Sequence, residues 1–259
     1  MSYQSNGNQV LLGRGKVFFN RLSSAGAATG YKFLGEVSKL ELSTQDDILE
    51  MRDHTVNSTP VLKKVNKQRD AKVSLTFHEM DKENVAMALM GSVSAFIQTS
   101  GSVTAEALTT SVVKGHSYKT VARQISSVVV KKGASTLVLG TDYDIADAAT
   151  GLIHIREGSV TVSDGDSLTV DYTKAAIASP GLARVVGGNS SFIEGALLFI
   201  GDPATGPSAD VEIWKASISP SGVLGLIQDD FAGVDLEATI LSDSVNHPTE
   251  PLYVVQYKS

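Results

Sequence analysis

Five histidines, His54, His78, His116, His154 and His247, are the side chains that titrate nearest neutral pH, and they are scattered along the chain. His78-Glu79 has no second His four residues on, so it is not a zinc-protease helix. His154 sits between Ile153 and Ile155 in a strand-like run, where an outward, solvated imidazole is expected. Cysteine is absent, which removes disulfides, thiolate metal sites and cysteine nucleophiles together. No Gly-x-Ser-x-Gly elbow occurs. Gly13-Arg14-Gly15-Lys16 has two features of a phosphate loop, but lacks the spacer between the glycines and the Ser/Thr after Lys.

Close carboxylates are the remaining source of chemistry. Asp142 and Asp144 flank Tyr143, and Asp229-Asp230 precedes Phe231. Such pairs can do acid–base work. In a chain rich in strand patterns they more often mark turns and sheet edges. Asp164-Gly165-Asp166 lacks the further carboxylates and closing Glu of a calcium loop and reads as a hairpin turn. Trp214, the single Trp, lies beside Ile213 in a strand-like run and reads as core or interface. No catalytic, cofactor-binding or metal-ligating residue is assigned. A structural, non-enzymatic role is expected, with no cofactor.

The composition suits a folded chain. Of 259 residues, 42% are apolar and 19% charged, enough to bury a core. The formal net charge of -6 makes tight nucleic-acid binding a poor expectation, because that affinity comes from Lys and Arg releasing counterions. The first nine residues carry no secretory pattern, and no apolar window approaches bilayer length. A soluble product made in the cytoplasm, with no membrane partner, is expected.

Elements follow from periodicity. Val73, Leu75 and Phe77 alternate with polar residues and predict a half-buried strand. A helix is expected over Asp81–Met90, with Asp81 as N-cap, Val85, Ala88 and Leu89 on one face, and Gly91 as its stop. Thr44 to Asp70 is polar, shows no sustained period and is long for a loop, so it reads as a functional or disordered stretch or a solvated hairpin. Its charges are segregated, acidic at the start and basic at the end. Gln98–Ser111 reads as a linker and Lys174–Gly181 as a second joint. Between them, Ile125–Val130, Leu137–Leu139, Leu152–Ile155, Val160–Val162 and Leu168–Tyr172 predict short strands of a small sandwich. Ala196–Ile200, Val211–Ile218, Val223–Ile227, Val234–Leu241 and Leu252–Tyr257 predict a longer series. The segments before the first joint are too few for a closed sandwich, so they should pair with those after the second. That gives a discontinuous domain, 1–103 and 181–259, with 104–180 inserted into it.

Gly13-Arg14-Gly15-Lys16-Val17-Phe18-Phe19, the long polar hairpin, the strand at Lys72–His78 and the single helix stand in one order. Near the end come Ala216-Ser217-Ile218-Ser219-Pro220-Ser221-Gly222 and Leu224-Gly225-Leu226-Ile227-Gln228-Asp229-Asp230-Phe231. This pattern, over roughly residues 10–100 and 183–259, resembles the major tail tube proteins of siphophages, the long-tailed bacteriophages. The resemblance implies a mainly β fold: a tail-tube-type sandwich of two sheets with one flanking helix. It also implies an immunoglobulin-like module at 104–180 on the tube exterior. It further implies hexameric rings stacked into a hollow, non-contractile tube in the virion tail, assembled in the host cytoplasm and conducting viral DNA. The implied partners are the chain itself, the tape measure protein and DNA held loosely in the lumen, and tail terminator and tail tip proteins. A β-rich surface adhesin or glycan-binding module, and a tail terminator or baseplate component of the same fold, stand as alternatives.

Two sets of residues carry that expectation. A conduit for DNA must not grip phosphate, so acidic side chains on one wet sheet face should line the channel; Glu36, Glu41, Asp235 and Glu237 are the candidates. Ring stacking should use the charge-segregated segment, with Asp46, Asp47, Glu50, Arg52, Lys63, Lys64, Lys67 and Arg69 at the contact. Open sheet edges are the other expected contact.

Overall fold

The computed structural model describes residues 6–23, 27–55, 57–221 and 223–258. Residues 1–5 of the opening segment and Gly222 of the second motif lie outside the described residues. The chain is mainly β. It begins with β1 (Gly15–Arg21), β2 (Lys32–Phe33), β3 (Val37–Arg52) and β4 (Val61–Phe77), then the helix α1 (Lys82–Ala88). Next come β5 (Ser92–Gln98), β6 (Gly101–Thr109), β7 (Ser117–Lys119), β8 (Ile125–Lys132) and β9 (Ser135–Thr136). β10 (Tyr143–Asp147), β11 (Leu152–Ile155), β12 (Leu168–Lys174) and β13 (Ile177–Val186) follow. The chain closes with β14 (Ile193–Gly201), β15 (Ala209–Pro220), β16 (Val234–Ile240) and β17 (Tyr253–Tyr257). It divides into two compact units, Met1–Val93 with Val185–Ser259, and Ser94–Arg184.

The discontinuous unit is built on one antiparallel sheet in the order β2-β1-β14-β15-β16-β4-β3. β15 is long enough to serve two partners: its first part, Ala209 to Ile213, pairs with β17, and Ala216 to Pro220 with β16. In β16 the period-two pattern is complete, with Val234, Leu236, Ala238 and Ile240 all buried. The neighbouring rows, Val73, Leu75 and Phe77 of β4 and Ile213, Ala216 and Ile218 of β15, join the same core. Gly195 leaves room for the Phe19 ring across the β1–β14 pair, where a Cβ would collide with it.

Helix α1 is fixed at its start by the Asp81 carboxylate, which accepts from the backbone N–H groups of Glu83 and Asn84. Asn84 is fully buried and donates to the carbonyls of Leu34 and Glu79. Those two bonds set the rotation of the helix. Asn84, Ala86, Met87 and Ala88 therefore face inward, while Leu89 of the expected apolar face is exposed.

Past Ala71, β3 and β4 leave the sheet together as a two-stranded arm. Every residue of β3 from Glu41 to Arg52 and of β4 from Val61 to Asp70 is exposed. Of the two readings of Thr44–Asp70, the solvated hairpin is the one the structure has: the backbone of β3 up to Arg52 pairs with that of β4 from Val61 onward. Bulges between Asp47 and Ile48 and between Met51 and Arg52 hide its period from the sequence.

The inserted unit packs two small antiparallel sheets, β10-β11-β7 and β6-β12-β8-β9, over one core that includes Val112, Val130, Ile153, Ile155, Leu168 and Val170. The expected linker Gln98–Ser111 is mostly β6, an edge strand paired with β12 through two irregularities. Its Ser, Thr and Ala residues follow from an edge that faces water on most positions. The expected joint Lys174–Gly181 runs into β13, which pairs with β5. Val160–Val162 forms no strand. Leu137–Leu139 contributes only an isolated bridge at Leu139. Val223–Ile227, expected as a strand, is a loop between β15 and β16, because β15 already has β16 as its neighbour there.

Candidate functional site

The arm brings seven of the eight segregated charges into cross-strand or neighbouring pairs. The Arg69 guanidinium grips Asp46 with two bonds, Nε to Oδ1 at 2.7 Å and the second nitrogen to Oδ2 at 3.0 Å. Lys64 meets Glu50 at 3.0 Å, Lys67 meets Asp47 at 3.6 Å, and Arg52 reaches Glu50 at 3.5 Å. Lys63 has no ion-pair partner among the described residues and stands opposite Met51. The Arg69 hydrogen bond holds the Asp46 carboxyl below its ordinary range, and Lys64 does the same for Glu50. Both pairs are therefore fully formed at neutral pH and are lost as pH falls through the depressed values. Exposed pairs of this kind set register more than stability.

With its charges paired internally, the arm presents apolar side chains outward. Leu49 and Val65 face each other across the hairpin, and Met51 lies beyond them. Leu49 is 65% exposed and Leu62 62%. A two-stranded ribbon has no core of its own to cover such residues.

The four expected acidic candidates separate. Glu41, Asp235 and Glu237 stand on the outward face of β3, β4 and β16, because Ser74 opposes both Glu41 and Glu237. Glu36 lies before β3, where its N–H donates to the Glu79 carboxylate. The outward face also carries lysines that sequence reasoning did not place there. Lys39 pairs with Glu41 at 3.0 Å and Lys72 with Glu237 at 2.5 Å. Asp235 accepts from the Thr76 hydroxyl. The face is therefore nearly balanced, with Asp235 the carboxylate left without a lysine.

The inserted unit holds a row that looks catalytic and is wired otherwise. Ser117, His154 and Asp144 lie side by side across β7, β11 and β10. Ser117 Oγ and His154 Nδ1 are 3.1 Å apart. Asp144, however, pairs with Arg156 Nε at 2.9 Å and makes no hydrogen bond to the imidazole. A base without its orienting carboxylate does not reproduce a Ser-His-Asp relay. Asp142, on the other side of Tyr143, is buried. It accepts from the Ser159 hydroxyl at 2.6 Å and from the Val138 N–H at 2.9 Å. Those bonds, the serine's first, hold its pKa below the ordinary value. The contribution is present above the unfolded carboxylate range and is lost as pH falls through the depressed value. Asp142→Ala will destabilise this unit by about 1–3 kcal/mol, because Ser159 Oγ and the Val138 N–H lose their partner, as chemical denaturation will show.

The side chains of the remaining motifs are engaged within the fold. Asp164 accepts from the Lys114 N–H, and Asp166 takes Lys132 at 2.6 Å and the Ser163 N–H. Trp214 donates to the Glu250 carbonyl and stacks on His247 with ring centroids 3.7 Å apart. Both nitrogens of His78 are engaged, with the Ala232 carbonyl and the Ser38 hydroxyl. Among the described residues, no cluster of three His, Asp or Glu stands close enough to hold a metal ion.

A groove of about 370 Å³ opens on the discontinuous unit. Leu11, Leu42, Phe199, Val211, Val255 and Tyr257 line it, and Arg14 stands among them. The sequence signalled the strands that build it but not the opening, which depends on how β1, β3, β15 and β17 converge.

The sequence model of a family described as "Protein of unknown function UCP028589" matches residues 10–252. No curated protein matches the chain.

Proposed function

We propose that this chain, which belongs to the UCP028589 family, is a structural subunit that polymerises. Our reading is a major tail tube protein of a long-tailed bacteriophage, stacked as hexameric rings around a channel for DNA. The arm carries this reading. A hairpin of two strands, 16 and 17 residues long, is exposed along its outer part, charge-balanced within itself and apolar on its surface. Such an element has no role inside a monomer and gains buried area only against another molecule. A contact between the arm and a different surface of the next copy is heterologous, and heterologous contacts extend into filaments.

Two further features support the reading. The outward face of β3, β4 and β16, with Glu41, Asp235 and Glu237 offset by two lysines, offers phosphate little to grip. In this proposal that face lines the channel, in contact with DNA and the tape measure protein. In this proposal the inserted unit, with its two small sheets, is an immunoglobulin-like module on the tube exterior. Terminator and tip proteins cap the two ends.

The test is electron microscopy of the purified protein across a concentration series. The expected result is hollow tubes of uniform width that lengthen with concentration. Persistent monomers at every concentration, with affinity for host glycans, would favour an adhesin instead.

A further inference from the structure

The loop between β15 and β16 exposes more large apolar surface than a single wet residue would explain. Val223 is 85%, Leu226 86%, Ile227 99% and Phe231 92% exposed. Isolated exposed apolar residues are ordinary, whereas a cluster of this density marks a contact site. Asp229 and Asp230 stand between Ile227 and Phe231. Asp230 caps the Phe231 N–H, and neither carboxylate has an ion-pair partner among the described residues. The segment thus reads apolar, acidic, apolar.

One surface of the same unit has the complementary character. The groove is apolar, and Arg14 beside it is exposed, with no carboxylate partner among the described residues. We infer that residues 223–231 of one copy dock into this groove of a second copy. Ile227 and Phe231 act as the apolar anchors, and Arg14 receives the Asp229–Asp230 pair. Ile227 is almost wholly in water, so the loop does not fill its own chain's groove. The arm is another exposed apolar segment, but its Asp46, Asp47 and Glu50 carboxylates are already held by its own lysines and arginines and would leave Arg14 uncompensated. Loop and groove are different surfaces, so their contact also propagates head to tail. The inference rests on the self-assembly proposed above and names a second contact for it, separate from the arm.

The absence of cysteine makes a direct test clean. Ile227→Cys chains and Tyr257→Cys chains, mixed and oxidised, should give a covalent heterodimer. Arg14→Asp and the pair Asp229→Arg with Asp230→Arg should each raise the concentration needed for assembly by roughly tenfold or more. Combining them in one chain should restore it. All of these positions are exposed, and unchanged thermal unfolding will show that each variant folds. A cross-link without polymers supports the docking and overturns the tube reading. Polymers with neither cross-link nor charge rescue overturn the docking and leave the tube reading standing. Monomers without a cross-link overturn both.

Discussion

On the proposed self-assembly, a chain in which residues 48–67 are replaced by an Asn-Gly turn joining Asp47 to its partner Gln68 will unfold at the native denaturant midpoint and form no tubes. The first half follows from burial. The core row on β4 ends at Ala71, and no residue of the arm beyond it belongs to the core. Removing exposed hairpin leaves the cavity, network and cap mechanisms of destabilisation untouched. The stub keeps the Asp46–Arg69 pair at its base, and Asn-Gly suits a two-residue hairpin. The second half follows from what the arm presents. Leu49, Met51, Leu62 and Val65 are all removed, and with them the apolar surface that a second copy would cover. Denaturant titration checks the fold, and sedimentation velocity with negative-stain microscopy checks assembly. Tubes of normal length from this variant would overturn the role proposed for the arm.

Excising residues 99–174 and bridging β5 to β13 with a Gly-Ser turn will leave a chain that still folds and, on the proposed function, still polymerises. The two units have separate cores with no residue in common. The chain enters and leaves the inserted unit on β5 and β13, which pair with each other and so hold the two cut ends close. Conversely, Ser94–Arg184 alone will unfold cooperatively, with an enthalpy of roughly 60 kcal/mol for its size. Scanning calorimetry of the full chain and of both fragments checks this. A single transition in the full chain, absent from both fragments, would mean that the units depend on each other.

The strands with a covered face were legible because burial writes a period into the sequence. Val234 to Ile240 and Val73 to Phe77 alternate cleanly, and the structure has strands at both places. Asp81 announced its helix through the cap it makes. Elements with no covered face carry no such period, and the arm's hairpin could not be told from a disordered stretch. The arm has a core on neither side, and a bulge at Asp47 and Ile48 shifts the alternation of Ile48, Leu49 and Met51 against their partners. β6 has the composition of a linker because an edge strand tolerates Ser, Thr and Ala at its wet positions. The apolar residues of Val223–Ile227 alone suggest a strand, but a strand also needs a free neighbour.

The charged candidates show the same division. Period two predicts that Asp235 and Glu237 share a face. Only cross-strand register shows that Lys72 meets Glu237 and that the arm's acids meet its bases. The groove needs both, together with the convergence of β1, β3, β15 and β17.

The arm's charges carry one more consequence. Beyond Ala71 the ribbon has two free edges, and they differ in sign. β3 contributes Asp46, Asp47 and Glu50, and β4 contributes Lys63, Lys64, Lys67 and Arg69, with Arg52 and Asp70 the exceptions near the ends. The arm is thus an electric dipole lying across its own width. Two arms that meet β3 against β3 place carboxylate beside carboxylate, and β4 against β4 places cation beside cation, both unfavourable. Only β3 against β4 is attractive. An exposed ribbon edge ordinarily invites indiscriminate pairing; this one accepts a neighbour in a single sense, and that rule of direction is written in the order of its charges.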